Sequence, residues 1–217
     1  MHFCPSCTRI LALGRHGDFF SFIGVPRKLG LDPSDLEGRF RALSRQFHPD
    51  YFCNAGPAER RASLERSSYL NDAYRTLRQP ISRIEYLLEL EGMSAGASAR
   101  RAAGVAGASA SNEVPPSLLE EVFALNEELD EVRKLRFGGA PPERWKPGLE
   151  RARQPIEAKQ ADHERQLQEL SAKWDALVDS QAPDSERRGV LAALRERMLE
   201  RNYINNLLAG IAKELSQ

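Results

Sequence analysis

A histidine and an acid stand two positions apart at the end of a helical pattern, in the stretch RFRALSRQFHPDYFCN. A catalytic pair of His48 and Asp50 needs hydrogen-bond contact and a nearby nucleophile, but side chains separated by the rigid Pro49 are expected to point apart. A metal site needs more ligands than one imidazole and one carboxylate. The residue types therefore disfavour catalysis and metal binding. They leave a proline-stopped helix end or a surface that another protein binds.

The motif CPSC near the N-terminus is the second candidate site, through Cys4 and Cys7. A CxxC turn brings two thiolates onto one metal ion, but a closed zinc site takes four ligands and the sequence has a single such pair. His2 or His16 could supply another ligand, and a second molecule could supply a second pair. The alternative is a metal-free remnant. Cys53 is expected to be an ordinary loop cysteine.

An amphipathic helix is predicted to lead into His48. Asp32 suits the N-cap, Pro33 suits the first helical position, and apolar residues then recur at spacings of four, three and four. These apolar residues are Leu36, Phe40, Leu43 and Phe47. Arg41 and Arg45 fall nearly opposite that stripe, so the outer face of the helix is basic.

A second long helix is predicted after a loop that starts at Pro49, and it runs from Pro57 to just before Pro80. One of its faces carries Leu70, Ala73, Tyr74 and Leu77. The short loop makes the two helices antiparallel. A short apolar knot precedes the pair, and a short apolar helix closed by Gly92 follows it.

The middle of the chain changes composition abruptly. Residues 94 to 113 are almost wholly small and cannot bury enough surface to offset ordering, so they indicate a flexible linker. Three long helical patterns follow, at about 115–137, 142–181 and 184–215, and their short connections favour an antiparallel bundle. No strand pattern competes, so the predicted fold is all-α.

Charge and composition limit the kinds of partner and the cellular compartment that we expect for this protein. Lys+Arg and Asp+Glu are both 31, which gives no general affinity for nucleic acid or acidic membrane. The sequence has no apolar run long enough to span a membrane and no signal-peptide pattern, and its three cysteines are too few for a disulfide framework. We therefore expect an intracellular protein, in a bacterial cytoplasm rather than a mitochondrial matrix.

The first helix of the bundle carries a second apolar strip. Its core stripe consists of Leu118, Val122, Leu125, Leu129 and Val132. Leu119 and Phe123 lie roughly 100 to 140° away from that stripe, and acids surround them. The strip is either an extra core contact or a protein-binding patch. In the last helix, Tyr203 lies off the stripe formed by Val190, Leu194, Ile204, Leu208, Ile211 and Leu215, and is expected to be exposed.

The order of these elements resembles a known module. A short apolar helix, a basic helix containing RALSRQFHPD, a loop and an antiparallel helix containing LNDAYRTLRQP resemble the J-domain of DnaJ-like co-chaperones over about residues 18 to 80. The continuation through RIEYLLELEG, the linker and LLEEVFALNEELDEV resembles the HscB family, the dedicated co-chaperones of iron–sulfur cluster biogenesis. The sequence lacks the Gly/Phe-rich region and the repeated CxxCxGxG motif of general-purpose DnaJ proteins.

The resemblance implies a role for the tripeptide on another protein. His48, Pro49 and Asp50 would stimulate ATP hydrolysis by an HscA/DnaK-type chaperone, and Arg41 and Arg45 would belong to the basic face that docks on it. The chain would then be no enzyme and would supply no catalytic group of its own.

The resemblance also assigns the strip on the bundle to binding an IscU-type scaffold protein. The matching positions are Leu119, Phe123, Glu127 and Glu131, and Tyr203 would complete the patch. The family pattern is of the type LMEVFEL; here Glu120 replaces an apolar residue and Ala124 an acidic one.

The expected organisation has four parts: a CxxC segment (1–17), a J-domain with its following helix (18–92), the linker (93–114) and a scaffold-binding three-helix bundle (115–217), in the L shape that the family implies. We expect that no cofactor is required, although Cys4 and Cys7 could bind zinc. Some members of the family have two CxxC pairs before the J-domain, whereas this sequence has one. Two other functions remain open: a J-domain co-chaperone with a different client, and a zinc or redox protein acting through the two cysteines.

Overall fold

The computed structural model describes residues 2–7, 9–12, 17–93 and 118–216. Within these ranges the regular structure is helical, which confirms the predicted all-α fold, and the one strand-like feature is an isolated bridge between Phe3 and Ile10. The helices are α1 (Phe19–Ile23), α2 (Pro33–Phe47), α3 (Pro57–Arg78), α4 (Pro80–Leu90), α5 (Leu119–Phe137), α6 (Pro142–Asp179) and α7 (Asp184–Leu215). The predicted linker falls almost wholly outside the described residues.

The described residues form two compact units. The first unit combines the residues up to Met93 with Ser171–Arg187, which are the end of α6, the following turn and the start of α7. The second unit contains the described residues from Leu118 to Leu170 and those from Arg188 onward. The sequence pattern does not indicate that Ser171–Arg187 belongs with the first unit, and the predicted domain boundaries remain predictions.

Helix α2 begins and packs as its sequence predicts. The Asp32 carboxylate accepts hydrogen bonds from the backbone N–H groups of Ser34 (2.6 Å) and Asp35 (3.2 Å), which have no partner within the helix. The apolar stripe faces the core of the first unit, where Leu36 and Phe47 are buried and Phe40 and Leu43 are partly buried. Helix α3 contributes Leu70, Ala73 and Leu77 to the same core.

A buried arginine closes the junction between α3 and α4. Arg83 is 5% exposed, and its Nε donates to the carbonyl of Leu77 at 2.6 Å. Its two terminal nitrogens donate to the carbonyls of Leu29 and Arg78. The bonds to Leu77 and Arg78 satisfy carbonyls in the last turn of α3, which have no partner within that helix because it ends at Arg78. Burial lowers the pKa of the Arg83 guanidinium, and the nearby Asp175 carboxylate opposes that shift.

The first unit is completed by the end of α6. The Asp175 carboxylate accepts hydrogen bonds from the backbone N–H groups of Leu29 (2.6 Å) and Gly30 (2.7 Å). The indole of Trp174, which is 3% exposed, donates to the carbonyl of Arg27 at 3.0 Å. The connection between α1 and α2 has no regular structure there, so these side chains supply partners that a helix or sheet would otherwise provide.

We therefore expect Asp175→Ala to destabilise the first unit by about 2 kcal/mol, because two backbone donors lose a charged acceptor. Chemical denaturation followed by circular dichroism measures the change. Asp179→Ala is the matched control: its side chain is 64% exposed and pairs with Lys28, so it should cost about 1 kcal/mol or less. Equal losses for the two variants would contradict the role assigned to Asp175.

The second unit has its own core, built from α5, α6 and α7. The predicted stripe of α5 faces inward, with Leu118, Val122, Leu125 and Val132 buried and Leu129 partly buried. Helix α6 packs Trp145, Leu149 and Ile156 against them. Helix α7 adds Ile204 and Ile211, as its predicted stripe requires. These contacts confirm the predicted apolar faces of α5 and α7.

Candidate functional site

The backbone turns sharply after α2. Sequence reasoning predicted a plain loop from Pro49, but the chain forms a 3-10 turn over Pro49–Phe52. Within this turn the Nδ1 atom of His48 accepts a hydrogen bond from the Asp50 N–H at 3.3 Å and lies 3.4 Å from the Asp50 carboxylate. The expectation that the two side chains point apart is therefore wrong: the turn folds residue 50 back toward residue 48.

The side chains of this turn are open to solvent. The Asp50 side chain is 86% exposed, that of His48 is 50% exposed, and Tyr51 is 73% exposed. The Tyr51 ring lies edge-on to the His48 ring, with 6.1 Å between the ring centroids. This exposure leaves the Asp50 carboxylate and the His48 imidazole accessible to a partner protein. Sequence reasoning did not select Tyr51. The feature that could have indicated its exposure is that this aromatic residue lies outside the apolar periodicity of the helices.

The root of the turn is fixed to α3. Phe47 is fully buried, and its carbonyl accepts hydrogen bonds from the hydroxyl groups of Ser63 (2.6 Å) and Ser67 (2.9 Å). Two serines four residues apart lie on one face of a helix, a spacing that could have indicated this pair. The turn is thus anchored at Phe47 and exposed at Asp50.

The outer face of α2 carries the predicted arginines. Arg41 and Arg45 are both exposed, and Arg41 pairs with Glu37 one turn earlier at 2.6 Å. An exposed ion pair of this kind contributes little to stability, so the guanidinium group can exchange its partner at low cost. Arg39 is tied instead to the carbonyl of Gly24 at 2.7 Å and to Asp35 at 2.9 Å. The arginines of α2 that can contact a partner therefore include Arg41 and Arg45.

The second strip on α5 faces outward. Leu119 is 41% exposed and Phe123 is 68% exposed, and the exposed acids Glu127 and Glu131 continue the strip at four-residue spacing. Exposed large apolar side chains in one strip mark an interaction surface more often than chance exposure. Tyr203, which was expected to be exposed, is partly buried against the core of the second unit, because a side chain off the stripe still reaches a neighbouring helix.

The acids of this strip border an open groove of about 690 Å³ within the second unit. Glu127 and Glu131 line it from α5, and Arg151 and Pro155 line it from α6. Lys134 also borders the groove, so positive and negative charges lie side by side there. Glu127 and Glu131 therefore stand at the edge of a groove, where a partner's cation would have to compete with Lys134 and Arg151.

The CxxC motif lies at the turn of a small hairpin. The Cys4 N–H donates to the carbonyl of Arg9 at 2.9 Å, and the Leu11 N–H donates to the carbonyl of His2 at 3.1 Å. Backbone N–H groups of Ser6 and Cys7 point at the Cys4 sulfur, and these hydrogen bonds lower the pKa of the Cys4 thiol. The turn therefore brings the two cysteines together, as the spacing predicts.

The described residues do not complete a zinc site around this pair. They contain no group of three or more His, Cys, Asp or Glu side chains placed to hold a metal ion, so two thiols stand where a closed zinc site takes four ligands. The Nδ1 atom of His2 is 2.7 Å from the guanidinium of Arg66, which removes it as a ligand through that atom. The other suggested ligand, His16, lies outside the described residues. Cys53 follows the 3-10 turn of Pro49–Phe52 and is exposed, as expected for a loop cysteine.

Among the described residues, no helix combines the length and the apolar character needed to cross a membrane.

Comparison with curated proteins finds a relative that matches part of the chain in sequence. No family model matches the chain. Over 76 residues, which are 35% of this chain, it is 46% identical to a co-chaperone protein HscB homolog of Cupriavidus taiwanensis. The matched stretch spans 43% of that relative, less than half of its length.

Two solved structures share the fold over nearly the whole chain. Human co-chaperone protein HscB matches with a TM-score of 0.60 and 24% identity, covering 98% of this chain and 89% of the human one. HscB from Vibrio cholerae matches with a TM-score of 0.51 and 26% identity, covering 93% of this chain and 99% of that protein. These two likenesses show that the chain has the fold of HscB co-chaperones over nearly its whole length, and the sequence match covers 76 residues of it.

Proposed function

We propose that this chain delivers an IscU-type iron–sulfur scaffold to an HscA/DnaK-type chaperone and stimulates the chaperone's ATPase, and so promotes the maturation of iron–sulfur proteins. The observation that carries the proposal is the exposed turn of His48, Pro49 and Asp50 at the end of a basic helix, in a chain that is similar to HscB co-chaperones in fold and, over 76 residues, in sequence. The chain itself does no phosphoryl chemistry.

The chaperone side of the proposal uses the end of α2. The exposed guanidinium groups of Arg41 and Arg45 suit an acidic surface, and opposite charges across an interface speed association and fix its register. The turn then presents the Asp50 carboxylate on a backbone whose root is held by Ser63 and Ser67. Docking and stimulation are thus assigned to neighbouring but separate side chains.

The scaffold side uses the strip on α5. Leu119 and Phe123 provide apolar anchors, and Glu127 and Glu131 provide a polar rim, which is the usual anatomy of an interface hot spot. Tyr203 is partly buried, so it would contribute only the part of its side chain that remains exposed. Glu120 and Ala124 are exposed beside these residues and make this strip less apolar and less acidic than the family pattern.

One chain that holds both partners raises the effective concentration of the scaffold at the ATPase. For short connections this effective concentration is on the order of millimolar, which increases the efficiency of transfer without any new contact. We propose a bacterial cytoplasm as the setting, supported by the matches to HscB proteins of two bacteria. A mitochondrial matrix is the alternative.

Calorimetric titration with a purified IscU-type scaffold tests the proposal, together with single-turnover ATPase assays on an HscA/DnaK-type chaperone. Scaffold binding plus stimulation supports it. Stimulation without scaffold binding would favour a J-domain co-chaperone with another client. Binding without stimulation would leave the chain a scaffold-binding protein only, and would contradict the role of Asp50.

A zinc or redox function through Cys4 and Cys7 is the second candidate, because amide groups stabilise the Cys4 thiolate. Since one chain's described residues supply two ligands, we expect purified protein to hold less than one zinc per chain. Cys4→Ser should then change ATPase stimulation by no more than about twofold, as for other surface substitutions. Metal analysis and the ATPase assay check this, and stoichiometric zinc with an inactive Cys4→Ser variant would favour the second candidate.

A further inference from the structure

A buried arginine joins the N-terminal hairpin, which comprises the described residues of 2–12, to α3. Arg66 is fully buried, and its Nε donates to the carbonyl of Leu11 at 2.8 Å. Its terminal nitrogens reach the Nδ1 atom of His2 at 2.7 Å and the carbonyl of Ala12 at 3.3 Å. A buried guanidinium is costly unless its donors are satisfied, so this residue holds the hairpin in one position.

The same contacts converge on the residue that precedes the exposed turn. The Arg66 guanidinium lies 5.7 Å from the centroid of the Phe47 ring. The His2 ring meets Phe47 edge-on at 4.9 Å, and the Phe3 ring lies 6.0 Å from it. Ile10 of the hairpin is buried in the same core as Phe47. The hairpin and α3 therefore enclose the side chain next to His48.

We propose that the N-terminal hairpin, locked by Arg66, holds Phe47 and thereby positions the turn of His48, Pro49 and Asp50 for action on the chaperone. This inference rests on the proposed function and deepens it. Two serine hydroxyls hold the carbonyl of Phe47, and the hairpin holds its ring, so the backbone entering the turn is fixed from two sides. Arg66 and His2 are positioning residues, since they act through Phe47.

Separate locations make the inference testable. The docking side chains Arg41 and Arg45 lie on the exposed face of α2, whereas the hairpin touches Phe47 at the buried end of that helix. Loosening the hairpin should therefore spare docking and reduce the fraction of bound chains whose Asp50 is correctly presented. The expected signature is a lower maximal stimulation at an unchanged half-saturating concentration.

The test compares full-length Arg66→Met with Arg61→Met, an exposed arginine on the same helix. We expect Arg66→Met to lower maximal ATPase stimulation by about fivefold or more, and to leave the half-saturating concentration within about twofold. Amide hydrogen exchange gives a readout without the chaperone. The Tyr51 N–H donates to the His48 carbonyl at 3.0 Å. Its exchange rate should be several times higher in Arg66→Met than in the wild-type chain, and should be unchanged in Arg61→Met.

A second variant covers the outcome in which Arg66→Met does not fold by circular dichroism. His2→Ala removes the ring and the acceptor, whereas His2→Asn keeps an acceptor close to the position of Nδ1. We expect His2→Ala to lower maximal stimulation and His2→Asn to restore part of it.

Three results would overturn the inference. One is a folded Arg66→Met or His2→Ala with wild-type stimulation and wild-type Tyr51 exchange. Another is a change confined to the half-saturating concentration. The third arises if the wild-type chain stimulates no chaperone, in which case the proposed function fails and only the Tyr51 exchange rate tests the positioning role. An unchanged Tyr51 exchange rate in Arg66→Met or His2→Ala then overturns that role, and a higher rate supports it.

Discussion

Asp50→Ala should abolish ATPase stimulation while the protein stays folded and continues to bind the scaffold. Removing a charged group from the centre of an interface typically costs about 2 to 5 kcal/mol, which is more than a tenfold loss. The side chain is 86% exposed, and its contact with His48 is at the long distance of 3.4 Å. Its removal should therefore change the free energy of unfolding by no more than about 0.5 kcal/mol. Single-turnover ATP hydrolysis by an HscA/DnaK-type chaperone measures the effect.

Asp72→Ala is the matched control for this prediction. Asp72 is a surface acid of α3 in the same unit, and it pairs with Arg75 at 2.8 Å. The control should stimulate hydrolysis within about twofold of the wild-type chain. Asp50→Ala would contradict the proposed function if it retained full stimulation, or if it lost scaffold binding together with stimulation.

Leu119→Ala combined with Phe123→Ala should have the opposite effect. Truncating apolar anchors at an interface hot spot costs about 2 to 4 kcal/mol of binding free energy, so the dissociation constant for the scaffold should rise by roughly 30- to 1000-fold. Stimulation of the chaperone in the absence of scaffold should be unchanged, because α5 lies in the other unit. Calorimetric titration with an IscU-type scaffold measures the binding.

The second unit offers a control pair of the same composition. Leu199 on α7 is 41% exposed, the same fraction as Leu119. Phe137 at the far end of α5 is 99% exposed, which is more than the 68% of Phe123. Leu199→Ala with Phe137→Ala removes similar apolar surface at positions that are not part of the strip on α5. If both pairs weaken the scaffold complex equally, general hydrophobicity explains the effect and the strip is not the binding site.

Local patterns predicted the helices and the buried stripe of α5 correctly. The Asp32-Pro33 start and the apolar spacing of α2 are properties of neighbouring residues, and the structure places them as predicted. The rotation of 100° per residue likewise separated the buried Val122 and Leu125 from the exposed Phe123. Such features depend on contacts within one helix, which the sequence records directly.

Contacts between distant parts of the chain were not predicted. Arg66 has no apolar pattern to distinguish it from the exposed arginines of α3, because its burial depends on carbonyls of the N-terminal hairpin. Tyr203 is partly buried for a similar reason, since its neighbours come from other helices. The approach of His48 and Asp50 depended on a 3-10 turn that a single proline does not specify.

The hydrogen bonds that the Asp175 carboxylate accepts also determine when the first unit can be completed during synthesis. The 145 residues that separate Gly30 from Asp175 take roughly 7 to 30 s to translate at typical rates of 5 to 20 residues per second. During that interval α2, α3 and the turn that carries Asp50 can form, while the N–H groups of Leu29 and Gly30 still face water. A nascent chain can therefore form the turn that carries Asp50 before the unit that bears this turn is finished.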